Sequence, residues 1–342
     1  MRSGDFLDAT DSRVRLAKNE AVEDRQQSDY RSGRGHRRGA LHGDARDLAG
    51  GGRPPHGFPG TRSHQVIARR ALLAIAALLI GGCAYLTEKQ GELIFRPTRD
   101  SWWGYDGKQH AFQDEWITVG ADGQKLHAWW LPSDKPDAPA LLYLHGARWN
   151  LTGSVSRIER WRSLGFSVLA VDYRGFGESS DVAPTEAYAY EDAEAAWNLL
   201  SKVAPGQPRY IVGHSLGGAI AVDLASRHPE ASGLVLEATF TSVPDMVSHS
   251  SWGFLPVGLI LTQKFDALSK IAEVKVPVMV AHGTRDSVVP FEMGEELYNA
   301  ANAPKKFVRV EGAGHHNLSG AGFAQYREAL TELFHVAPAP SL

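Results

Sequence analysis

Gly213-His214-Ser215-Leu216-Gly217 follows the short apolar run Tyr210–Val212 and precedes Ala219–Ser226, which carries helical periodicity. A serine framed by glycines two residues to either side, between a strand and a helix, is the pattern of a sharp nucleophile-bearing turn. The turn strains the backbone at the serine, so the flanking positions must be small. The following helix start also sets backbone N–H groups and positive dipole beside the hydroxyl.

Working outward, the same alternation repeats. Ala140–Leu144, Phe166–Val171, Leu234–Leu236, Val276–Ala281 and Lys306–Val310 read as buried strands. Arg157–Leu164, Tyr190–Val203 and Phe323–Phe334 read as helices. Glu115–Val119 and Lys125–Trp130 flank Asp122-Gly123 as an opening β-hairpin. Strands alternating with helices predict an α/β fold, a mostly parallel sheet with helices on both faces. No internal repeat is present.

A serine hydroxyl needs a base. Gly312-Ala313-Gly314-His315-His316-Asn317 follows the last strand and offers His315, directly after Gly-x-Gly, with His316 as its competitor. The base needs a carboxylate to fix its tautomer. Asp286, in His282-Gly283-Thr284-Arg285-Asp286, follows the Val276–Ala281 strand, and Asp266 is a second candidate. Acyl transfer also needs donors for a developing oxyanion. The expected pair is the backbone N–H of Leu216 and that of Ala147, the latter in Leu144-His145-Gly146-Ala147. Asp172-Tyr173-Arg174-Gly175-Phe176-Gly177 reads as a structural turn rather than a catalytic element.

Residues 115–336 resemble an α/β-hydrolase fold serine hydrolase. Within that fold the look is nearest to the Bem46 and palmitoyl-protein depalmitoylating hydrolase group. The resemblance rests on His145-Gly146, Asp172–Gly177, the Ser215 turn, Phe265-Asp266-Ala267-Leu268, His282-Gly283-Thr284 and Gly314-His315. It implies a Ser215, Asp286, His315 triad. One departure stands out: that group often has Asn after the His-Gly pair, where this chain has Ala147-Arg148-Trp149-Asn150. Arg148 and Trp149 read either as lining of the site entrance or as a solvated charge and a packed ring. In related hydrolases the segment between the Leu234–Leu236 and Val276–Ala281 strands forms a cap. Here it is short and apolar, with Trp252, Phe254, Leu255 and Leu259–Leu261. That favours an acyl ester or thioester as the small-molecule substrate. A serine peptidase acting on short peptides and a non-catalytic envelope binding protein are the alternatives. No metal and no organic cofactor is expected.

The first third of the 342-residue chain reads differently. Residues 1–65 hold eleven Arg, one Lys and nine acidic residues, with no sustained hydrophobic period. They read as disordered, or as translated sequence upstream of a start near Val66. Residues 66–83 form a secretory signal: Arg69 and Arg70, the apolar run Ala71–Ile80, then Gly81-Gly82-Cys83. An apolar run of ten residues is short of the roughly 20 that a spanning helix needs. Ile80-Gly81-Gly82-Cys83 resembles the lipobox of bacterial lipoproteins, and Cys83 is the chain's single cysteine. The resemblance implies lipidation at Cys83 and a membrane anchor. With Ala84 next, it also implies outer-membrane sorting in a bacterial cell envelope, facing the periplasm. Residues 84–114 read as an N-terminal linker. The whole chain carries −3, and residues 84–342 alone −8, so no nucleic-acid partner is expected. One cysteine also excludes a disulfide framework.

Overall fold

The computed structural model describes residues 69–74, 81–82, 85, 87, 89–102, 105, 111–250 and 261–336. Two compact units divide the chain, Arg25–Glu88 and the remainder from Lys89. In the first, the described residues are helical. No helix among the described residues is long and apolar enough to cross a membrane. Cys83, residues 1–65 and the cap residues 251–260 lie outside the described residues.

The second unit is built on an eight-stranded sheet among the described residues, in the order β1-β2-β4-β3-β5-β6-β7-β8. The strands are β1 (Gln113–Val119), β2 (Gln124–Leu131), β3 (Ala140–Leu144), β4 (Ser167–Val171), β5 (Arg209–His214), β6 (Gly233–Glu237), β7 (Val278–Gly283) and β8 (Lys305–Val310). β1 and β2 form the expected antiparallel hairpin, β2 meets β4 antiparallel, and every other pairing is parallel.

A parallel sheet covered on both faces requires apolar residues at odd and even positions alike. β3 shows this directly. Ala140, Leu142 and Leu144 enter one core with Trp197, Ile220, Leu224 and Leu297. Leu141 and Tyr143 enter the other with Trp161, Tyr326 and Leu330. The first core is covered by α2 (Glu186–Val203), α3 (Leu216–Arg227), α5 (Ala267–Ile271) and α6 (Phe291–Ala300). The second is covered by α1 (Val155–Ser163) and α8 (Phe323–Phe334). α4 (Val243–Ser248) and α7 (Leu318–Ala321) are short additions. Truncating one such buried leucine to alanine costs about 2–5 kcal/mol.

Local chemistry fixes the ends. The Thr185 side chain accepts the Tyr188 N–H and starts α2 four residues before the apolar period begins at Tyr190. The pattern hides α6, because Gly294 sits in its first turns. That glycine is required: a Cβ there would lie 2.3 Å from the His282 ring.

Within the expected linker 84–114, the described residues 89–102 pack on the second unit's core. Residues 89–95 are helical and Phe95 is fully buried, with its ring edge-on to Phe176 and Phe265. Lys89-Gln90-Gly91-Glu92 precede Leu93-Ile94-Phe95, and an apolar run of three is too short to show a helical period.

Candidate active site

Ser215 joins β5 to α3 with φ 54° and ψ −119°. Few side chains tolerate that region, and the geometry persists only because its surroundings enforce it. The Ser215 N–H donates to Glu237 O at 2.8 Å, and the Gly218 N–H to Ser215 O at 2.9 Å. A Cβ on Gly213 would lie 2.3 Å from Gly217 O, and one on Gly217 would lie 2.1 Å from Leu144 O. The turn therefore closes only with glycine on both sides of the serine.

Parallel strands deliver their following loops to one edge of the sheet. Ser215 follows β5, Ala147 follows β3, Asp286 follows β7 and His315 follows β8, so all four meet at the carboxyl edge. His315 Nδ1 lies 2.7 Å from Asp286 Oδ2. The carboxylate is fully buried and the imidazole nearly so. Asp286 Oδ1 accepts the N–H groups of Val288 and Val289 at 2.8 and 2.9 Å, and His282 Nε2 stands 3.4 Å from Oδ2. Burial alone would raise the Asp286 pKa. The charge of His315 and the hydrogen bonds from His282, His315 and Val289 outweigh it and hold the carboxyl well below the carboxylate range.

The loop that carries His315 is held by His214 and Arg157. His214, adjacent to Ser215, holds the His315 carbonyl through Nε2 at 3.1 Å, and the two rings lie 4.9 Å apart. Burial, with Arg157 and His315 nearby, holds the His214 pKa well below the usual imidazole value. His316 is pushed down to about 2, first by burial and then by the charges of His315 and Arg157. Its carbonyl accepts from Arg157 Nη2 at 2.7 Å. Of the two loop histidines, only His315 has a carboxylate against its ring.

Leu216 is the first residue of α3, where an N–H has no intrahelical acceptor. Among the described residues, no backbone carbonyl outside helices and strands takes the N–H of Leu216 or of Ala147. The next residue, Arg148, takes the left-handed value φ 79° and donates its N–H to Phe95 O at 2.8 Å. Trp149 packs edge-on against Trp102 at 4.1 Å between ring centroids, which favours the packed-ring reading.

The remaining sequence candidates have structural roles. Asp266 accepts the Ser269 N–H and caps α5. Asp172 Oδ1 accepts the Leu151 N–H and stands 3.3 Å from His145 Nε2. Tyr173 donates its hydroxyl to His145 O at 3.1 Å. Arg174 donates to Asp192 at 2.8 and 2.9 Å and to Glu191 at 2.5 Å. The Asp172–Gly177 turn thus braces the loop after β3, with Gly175 and Gly177 at φ 88° and 47°.

Four residues join the site to which the sequence assigned no role there: Arg157, Glu237, His282 and Asn150. Glu237 is buried beneath the serine turn, and burial raises its pKa. His282 stands in the motif His282-Gly283-Thr284 and was legible there. Arg157 lies in the first turn of α1, with no local signal for its reach to His316. Among the described residues, no group of three or more His, Cys, Asp or Glu is placed to hold a metal ion.

Residues 135–267 match the family model described as serine aminopeptidase, S33. An uncharacterised protein of Mycobacterium tuberculosis is 33% identical over 251 residues, covering 72% of this chain and 88% of the relative. The lysophosphatidylserine lipase ABHD12 of Danio rerio is 31% identical over 216 residues, 56% of each chain. The solved structure of the Pyrococcus furiosus esterase Pf2001 superposes with a TM-score of 0.56 at 22% identity, covering 70% of this chain and 99% of that one. The eight-stranded sheet, its helices on both faces and these likenesses agree, and the chain belongs to the α/β-hydrolase family.

Proposed function

We propose that this chain is a serine hydrolase that cleaves carboxylic ester or thioester bonds of apolar acyl substrates. The observation that carries the reading is the Asp286–His315 pair at 2.7 Å on the sheet edge where Ser215 sits in its strained turn. Ser215 Oγ attacks the acyl carbon while His315 takes its proton through the ring nitrogen not facing Asp286. Asp286 holds the tautomer and stabilises the imidazolium. The N–H groups of Leu216 and Ala147 receive the oxyanion. His315 then protonates the departing alcohol or thiol, leaving an acyl-enzyme. Water, deprotonated by His315, releases the acid and restores Ser215.

The zebrafish relative's name, a lysophosphatidylserine lipase, supports an acyl ester. The family description, serine aminopeptidase, supports the peptidase reading, which is kept as the second. Turnover of p-nitrophenyl esters of increasing chain length, beside aminoacyl anilides, separates the two. Ester turnover that rises with chain length and is lost in Ser215→Ala is expected. Anilide turnover alone would favour the peptidase, and no turnover of either would favour a binding protein.

We propose further that Cys83 is lipidated and anchors the protein in a bacterial envelope membrane, facing the periplasm. The basic pair, the apolar run and the lone cysteine support this. Metabolic palmitate labelling is expected in the wild type and absent in Cys83→Ser; retained label would contradict it.

A further inference from the structure

The loop that offers the Ala147 N–H runs from His145 to the 3₁₀ turn at Leu151–Ser154. Within that loop Arg148, a residue with a Cβ, holds φ 79°. Residues 95–102 cross the same sheet edge and bond to it repeatedly. Phe95 O accepts the Arg148 N–H. Thr98 O accepts from Asn150 Nδ2 at 3.2 Å and Asp100 O at 2.9 Å. The Trp102 N–H donates to Thr152 Oγ1 at 2.7 Å, and the Trp102 ring packs on Trp149. On the other side, Thr98 O also accepts the Gly177 N–H, and Arg99 Nη1 donates to Ser179 O.

Asn150 is the joint. It is 3% exposed, and its whole side-chain amide is engaged. Nδ2 faces the crossing segment, while Oδ1 accepts from Thr152 N at 3.1 Å and Thr152 Oγ1 at 2.6 Å. One half caps the turn after the loop and the other half ties that turn to residues 98–100.

We infer that residues 95–102 form a strap that holds the oxyanion loop in register, and that Asn150 is the positioning residue coupling strap to loop. The inference rests on the proposed reading of Ser215, Ala147 and Leu216 as acyl-transfer machinery. Asn150 touches no reacting atom. It fixes the path of the two residues before it, and thereby the direction of the Ala147 N–H. An N–H aimed away from the developing oxyanion leaves substrate binding intact and raises the barrier to chemistry.

Asn150→Asp in the full chain isolates the strap bond. The carboxylate keeps an acceptor for Thr152 but offers two carbonyl oxygens no donor. The expected result is a fall in kcat of about 10- to 100-fold with KM changed less than about twofold. A benzeneboronic acid provides the second readout. Ser215 Oγ bonds to boron as its proton passes to His315, the centre becomes a tetrahedral boronate, and the inhibitor's affinity should fall in step with kcat. An unchanged kcat, a change in KM alone, or a kcat loss with boronate affinity intact overturns the inference. Should Asn150→Asp fail to fold, Trp102→Leu removes the ring contact on Trp149 and is held to the same criteria, with a smaller loss. Ser215→Ala run in parallel separates the two readings. If it keeps wild-type turnover, the acyl-transfer reading fails; if it is inactive while the strap variant behaves as wild type, only the strap inference fails.

Discussion

His315 Nδ1 and Asp286 Oδ2 lie 2.7 Å apart although 29 residues separate them in sequence. Two loops from neighbouring parallel strands, β7 and β8, make the meeting. The second Asp286 oxygen is held by two backbone N–H groups, so the carboxylate cannot rotate away without losing them. Asp286→Asn should keep the loop but present a donor where the imidazole needs an acceptor. Ester turnover is expected to fall about 10²- to 10⁴-fold with little change in KM, measured by steady-state kinetics.

His315 and His316 are adjacent, yet they should behave oppositely. His315→Gln removes the proposed base and is expected to cost about 10²–10⁴-fold in kcat. His316→Gln should leave kcat within a few-fold, because that ring has no carboxylate against it and stays neutral near pH 7. Equal losses in both variants would contradict the assignment of the base.

His316 also sets a stability trend. Its folded pKa of about 2 lies below the ordinary imidazole value of 6.5, so between those limits the unfolded chain binds a proton that the folded chain refuses. Above pH 6.5 the residue is neutral in both states and contributes nothing. As pH falls below 6.5, stability should drop by up to about 1.4 kcal/mol per pH unit on its account, until the folded pKa is reached. His214, depressed in the same direction, adds to the slope. Urea midpoints between pH 4 and 7 should therefore fall less steeply in His316→Gln.

The serine turn has no room for a methyl group. Gly217→Ala places a Cβ 2.1 Å from Leu144 O, a backbone atom that cannot swing aside. A loss of at least 3 kcal/mol in denaturant unfolding is expected, of the order seen for severe overpacking. Ser215→Ala, which keeps the backbone, should change stability by less than about 1 kcal/mol.

Arg174 is nearly fully buried, and Asp192 beneath it is fully so. Burial lifts Asp192 to about 6 even with the guanidinium beside it. Arg174→Met leaves that carboxyl without its cation and should cost about 3–5 kcal/mol, measured by thermal unfolding. The double variant with Asp192→Asn should recover part of it.

The fold was legible because its signals are local. β3 and α8 coincide with runs read directly from Ala140–Leu144 and Phe323–Phe334, each bounded by turn residues. The Ser215 turn needs two glycines at fixed offsets, and that requirement is visible in five letters. Asp286 and His315 could be nominated because each follows a strand. What was not legible depends on reach across the fold. Arg157 contacts His316 across 159 residues, and nothing near either residue announces it. Phe95, Thr98 and Asp100 act through backbone carbonyls, which every residue has, so side-chain chemistry gives no clue. α6 was masked by Gly294, whose small size answers to His282 and not to its own helix.

The most direct test of the central claim is labelling of the full chain by a fluorophosphonate, which phosphonylates an activated serine with loss of fluoride. The account predicts one labelled site in the wild type, mapped by mass spectrometry to Ser215, and no label in folded Ser215→Ala. A folded wild type that stays unlabelled, or label that persists in Ser215→Ala, would contradict it.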